Sequence, residues 1–124
     1  MSHNVWKCDS NRPEWEAKGE DCSAIVRAKG MVRVYTETCP DIIGCQEMSF
    51  VMADEIIRGL AEQDQRYALL WGRDTPILYR QDRLELLNSD FLMYPVEFPG
   101  WEGEFNNDGT KSWCIAGFRD KICG

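Results

Sequence analysis

The segment from Ser49 to Gln63 constrains this chain most, because it reads as a helix that must bury one side. Phe50, Ala53, Ile57, Leu60 and Ala61 recur at helical spacing, and Met48, Met52 and Ile56 widen the apolar face. Ser49 stands where an N-cap is needed, and Asp54 sits one turn before Arg58 for an ion pair along the helix. A face this broad needs a sheet or another helix against it. Tyr67-Ala68-Leu69-Leu70-Trp71, closed by Gly72, supplies a buried strand directly afterwards.

Upstream, Met31 to Thr36 alternates and is β-branched, which predicts a strand. Ala24 to Ala28 pairs back onto it through Lys29-Gly30 in one reading. In the other, residues 14–28 form a helix, and the pattern does not separate the two. Strand, helix and strand over roughly forty residues then make a crossover unit with parallel strands. Downstream, Pro76 to Arg80 and Arg83 to Leu87 predict a hairpin around Gln81-Asp82. Leu92, Tyr94, Val96 and Phe98 predict an edge strand, with Pro95 excluding a central position. Trp101 to Phe105 and Thr110 to Ala116 predict a terminal hairpin about Asn106-Asn107-Asp108-Gly109. The expectation is a single α+β domain over residues 1–124, one main helix on a largely antiparallel sheet of five to seven strands. Residues 1–21 form a polar, partly irregular segment anchored by Trp6 and Trp15, with His3 in a frayed tail.

A chain of 124 residues can bury a core without staples. Its net charge of −7 repels phosphate backbones and anionic membrane surfaces, so direct nucleic-acid or membrane binding is not expected. No apolar run approaches the roughly 18–20 residues of a membrane span, and the N-terminus lacks the apolar stretch of a signal peptide. A cytoplasmic protein is therefore expected, with Cys8, Cys22, Cys39, Cys45, Cys114 and Cys123 as thiols in preference to disulfides.

Chemistry-bearing patterns are sparse. Walker, dinucleotide-binding, serine-elbow and zinc-protease motifs are absent, and the cysteine spacings contain no zinc knuckle. The run from Glu104 to Gly109 opens like a calcium loop, but Ile115 occupies the twelfth position, where a carboxylate is required. No metal or cofactor is expected. In Cys39-Pro40-Asp41-Ile42-Ile43-Gly44-Cys45, Cys45 precedes the main helix and is the one candidate nucleophile, with Asp41, Arg73 or Asp74 nearby. It lacks a base, since His3 is the sole histidine.

The remaining signal is Leu84 to Thr110, which has acids and rings but no Lys or Arg. Within it, Glu97, Trp101, Glu102, Glu104, Phe105 and Asp108 make an acidic-aromatic surface suited to a basic protein partner, with Trp101 closing the core as the plainer alternative. The expected function is that of a small protein-binding inhibitor occluding a basic surface, of the anti-CRISPR, anti-restriction or immunity-protein kind. The alternatives are a cysteine enzyme centred on Cys45 and an exported, disulfide-stapled binding domain.

Overall fold

A computed structural model describes residues 1–93 and 111–124. In chain order the elements are β1 (Ser2–Asn4), α1 (Pro13–Glu16), α2 (Ala24–Thr38), β2 (Ile42–Gln46), α3 (Phe50–Glu62), β3 (Tyr67–Leu70), β4 (Ile77–Arg80), β5 (Leu84–Met93) and β6 (Ser112–Asp120). The α+β class holds, but the strands divide between a four-stranded sheet ordered β1-β2-β4-β3 and a two-stranded sheet β5-β6.

Helix α3 forms where the apolar spacing placed it, and the Ser49 hydroxyl accepts the Met52 N–H at 3.2 Å as its cap. The buried face is rotated from the expected one: Met52, Ala53, Ile56 and Leu60 enter the core, whereas Phe50 stays 64% exposed. Residues 24–38 correct the hairpin expectation, because they form one continuous helix. Its buried positions Ala24, Ala28 and Tyr35 lie on one helical face. Close approach to α3 stabilises that choice. A Cβ on Gly59 would come within 2.7 Å of a Val32 methyl, so only glycine lets the two helices meet there. Burial against α3 thus overrides the β-branched alternation of Met31–Thr36.

The four-stranded sheet covers the inner faces of α2 and α3. Ile43 and Cys45 of β2, with Leu78 of β4, point into the core beneath the helices. The crossover expected from Met31–Thr36 through the main helix to Tyr67–Trp71 is corrected, since its first strand is helical; the parallel neighbours are β1 and β2, with Ser2, His3 and Asn4 opposite Gly44, Cys45 and Gln46. The N-terminal segment is therefore not frayed. The Met1 ammonium donates to Ile42 O at 2.8 Å, and His3 Nδ1 lies 2.6 Å from the buried Tyr35 hydroxyl. Strands β3 and β4 pair antiparallel, and β4 pairs antiparallel with β2.

The hairpin expected around Gln81-Asp82 is also corrected. Its two strands exist, but β5 leaves the sheet and pairs along its length with β6. Tyr79 and Phe118, with ring centroids 4.9 Å apart, tie the second sheet to the first. The predicted strand through Phe98 and the hairpin turn at Asn106–Gly109 lie outside the described residues beyond Met93. No helix among the described residues is long and apolar enough to cross a membrane.

Candidate active site

The topology sends the C-terminal ends of β1, β2 and β3 and the start of β4 to one edge of the sheet. The loops at that edge carry Asn4 to Lys7, Glu47 to Phe50 and Trp71 to Thr75. Two of them turn at the same level. Asn4 is opposite Gln46, Val5 N donates to Gln46 O at 2.9 Å, and both chains then leave the ladder. Trp6 and Glu47 take left-handed backbone angles, with φ of 59° and 54°. Non-glycine residues pay for that conformation, and such strain concentrates where a side chain has to be aimed.

What is aimed is Glu47. Its Oε1 accepts from Asn4 Nδ2 at 3.0 Å, while Asn4 Oδ1 accepts from Trp6 N at 3.0 Å. The asparagine amide is thus locked at both ends, and the carboxylate it holds belongs to an exposed residue whose other oxygen takes no hydrogen bond among the described residues. Lys7 reaches across to Asp74 in the β3–β4 loop at 2.6 Å, which joins the first and third loops of the edge.

Arg27 supports this arrangement from below. Its guanidinium donates to the carbonyls of Val5, Cys8 and Cys22, the last at 2.7 Å. It also stacks on Trp6 at 5.1 Å, with Arg12 at 4.6 Å from the same ring. The Gly72–Thr75 loop is pinned as firmly. Ser112 Oγ donates to Gly72 O at 3.1 Å, and a Cβ on Gly72 would sit 2.6 Å from that of Cys114.

The side-chain donors at this edge are oxygens, so a hard cation suits them better than zinc or copper. No cluster of three or more His, Cys, Asp or Glu able to hold a metal occurs among the described residues. A single oriented carboxylate fits a magnesium-like ion, which takes one or two carboxylates and completes its shell with water and substrate phosphate. The residues present fit such an ion as part of its shell.

The sequence candidates fall elsewhere. Cys45 lies in β2, not at the start of α3, and is 1% exposed. Burial pushes its thiol up to about 12, far from a nucleophile's range. Asp41 pairs with Arg80 at 3.7 Å at the opposite end of β2, away from Asp74 and Arg73. Glu97, Trp101, Glu102, Glu104, Phe105 and Asp108 lie outside the described residues. All six cysteines are free. Asn4 and Glu47 went unnoticed because an acid among 21 and an asparagine in a supposed tail have no signal of their own. The one available hint was Glu47 following a short apolar run and preceding a capped helix.

No family model matches the sequence, and no curated protein matches it at the sequence level. Solved structures do match by fold. An endonuclease/exonuclease/phosphatase from Bacteroides vulgatus superposes with a TM-score of 0.68 at 20% identity, covering 99% of this chain and 47% of that one. TDP2 from D. rerio, complexed with single-strand DNA product, gives 0.59 at 19% identity over 77% of this chain and 34% of that one. A mannosyl-6-phosphatase from Bacteroides thetaiotaomicron gives 0.52 at 15% identity over 74% and 35%. The chain spans less than half the length of each.

These likenesses overturn the expectation of an inhibitor of the anti-CRISPR, anti-restriction or immunity-protein kind. That expectation rested on the acidic-aromatic composition of Leu84 to Thr110, and composition is blind to how a sheet gathers a few side chains at one edge. The chain has the fold of part of the endonuclease/exonuclease/phosphatase structures.

Proposed function

We propose that this chain forms part of an active site that hydrolyses phosphate esters. The observation that carries the reading is the Asn4–Glu47 pair, a carboxylate oriented by a locked amide at two adjacent left-handed turns. The fold likeness supports it: the similar structures are described as a nuclease/phosphatase, a protein with a DNA product bound and a sugar phosphatase. Cleavage of a P–O ester bond is the chemistry that accommodates all three. In that reaction water supplies hydroxide to phosphorus, the ester P–O bond breaks, and the leaving alcohol takes the proton.

In this reading Glu47 is the carboxylate ligand of a divalent cation, and Asn4 is a positioning residue that fixes which oxygen it presents. The cation, when bound, polarises a phosphoryl oxygen and offsets the repulsion between phosphate and a chain of charge −7. Arg27 and the Lys7–Asp74 pair hold the loop that follows Asn4 and tie it to the β3–β4 loop, so this side of the edge is set before substrate arrives.

The test is Glu47→Gln in two assays. Magnesium is expected to raise the melting temperature of the native protein and leave that of the variant unchanged. Magnesium-dependent hydrolysis of bis(p-nitrophenyl) phosphate is expected to fall by about 100-fold or more, and Asn4→Ala to weaken magnesium binding by roughly 10–100-fold. Hydrolysis and melting temperature that ignore both magnesium and Glu47 would overturn the assignment.

A further inference from the structure

Two of the six thiols belong to chain segments that run side by side between β1 and α2. Cys8 lies four residues after Asn4, and Cys22 stands just before Ser23, the N-cap of α2. Asp9 O accepts Ala24 N at 3.0 Å. The Asn11 side chain accepts Cys22 N at 2.9 Å and donates to Glu20 O at 2.8 Å. Arg27 narrows the gap further. Its Nη2 donates to Cys8 O at 2.5 Å and its Nε to Cys22 O at 2.7 Å. Both nitrogens belong to one rigid, planar guanidinium, so the two carbonyl oxygens lie within about 7 Å of each other. A disulfide joins residues whose Cα atoms are about 4.4–6.8 Å apart, so the two backbones stand near bridging distance in the reduced protein.

The thiols themselves lean on one dipeptide. Cys22 Sγ donates to Asn11 Oδ1 at 3.1 Å, and Cys8 Sγ donates to Ser10 O at 3.2 Å. Both cysteines are half-buried. Arg12 lies beside them. Its guanidinium is held above its ordinary value first by a hydrogen bond with the Cys8 side chain, and more weakly by the electrostatic influence of Cys8, Glu14 and Cys22. A partly accessible sulfur next to a guanidinium is a setting in which oxidation is selective. The other cysteines are dispersed: Cys45 is buried in β2, Cys39 follows the far end of α2, and Cys114 and Cys123 belong to β6 and the turn after it.

We propose that Cys8 and Cys22 form a redox pair that closes to a disulfide and straps the loop following Asn4 to the start of α2. With glutathione disulfide as oxidant, the Cys8 thiolate attacks one glutathione sulfur and releases the other as glutathione thiolate. The Cys22 thiolate then attacks the Cys8 sulfur of the mixed disulfide and releases the second glutathione. The two cysteines lose two electrons and two protons, and glutathione disulfide becomes two glutathione molecules. The pair stands apart from the phosphate-ester reading, since its closure needs neither cation nor substrate.

Incubation of the folded protein with glutathione disulfide, followed by an acid quench, alkylation and trypsin digestion, tests it. Trypsin cuts after Lys7, Lys18 and Arg27, so the bond appears in mass spectra as residues 8–18 joined to residues 19–27. That pair is expected to be the main cross-link, to vanish on addition of dithiothreitol, and to raise the melting temperature by roughly 5 °C or more. Cys22→Ser is expected to stop at one glutathione on Cys8, and Arg12→Gln to slow that first step several-fold. The cross-link is read in the native protein without any substitution, so a variant that fails to fold leaves the test intact. A main cross-link between other cysteines, glutathione adducts on Cys8 and Cys22 that never join, or a bond that forms only in urea overturns the proposal.

Discussion

Single side chains change meaning once their neighbours are known. Cys45 illustrates this best. By sequence it is a thiol ahead of a helix, but its strand turns it inward beneath α2 and α3, where burial holds it protonated. Iodoacetamide at about pH 8 is therefore expected to modify the exposed Cys39 and Cys123 and to reach Cys45 only after denaturant is added, as peptide mass spectrometry will read. Rapid modification of Cys45 in the folded protein would contradict its placement. Glu47 shows the converse. Nothing in its own identity separates it from the other acids, and only Asn4, 43 positions away, gives its carboxylate a direction.

At the scale of elements, the local pattern succeeded where burial is one-sided and failed where a partner element decides. Helix α3 was legible because its apolar stripe and its Ser49 cap are encoded within the segment. Helix α2 was not, since Met31–Thr36 satisfies a strand's alternation equally well and the nesting of Val32 at Gly59 is a long-range fact. The β1–α2 connection has a similar dependence on one residue, Arg27, whose fork ties three carbonyls of Val5, Cys8 and Cys22. Arg27→Ala removes these charge-assisted bonds and is expected to destabilise the protein by about 2–4 kcal/mol, seen as a lowered urea midpoint. Arg27→Lys should recover only part of the loss, because an ammonium cannot span the same fork. A midpoint unchanged in the alanine variant would show that the loop is held by other means.

For the whole molecule, the buried ionisable groups set an alkaline limit. Cys45 has its ordinary value of 9.0 raised to about 12 by burial, and Tyr67 moves from 10.0 to about 12 mainly for the same reason. Both are acids that the folded chain keeps neutral. The unfolded chain releases their protons first, so the contribution of these two groups to stability is constant below about pH 9 and falls between about 9 and 12. Urea midpoints at about pH 7 and 11 check this, and Cys45→Ala should flatten the lower part of the decline. An equal midpoint at both pH values would contradict the linkage. By itself the sequence determined the α+β class, helix α3, strand β3 and the existence of β4 and the start of β5, because each is written in local periodicity and capping. Only the tertiary structure decided that α2 is a helix, that β5 leaves the first sheet for β6, and that Asn4 meets Glu47. Strand pairing and side-chain convergence depend on contacts between residues far apart in the chain, and a local pattern carries no record of its distant partner.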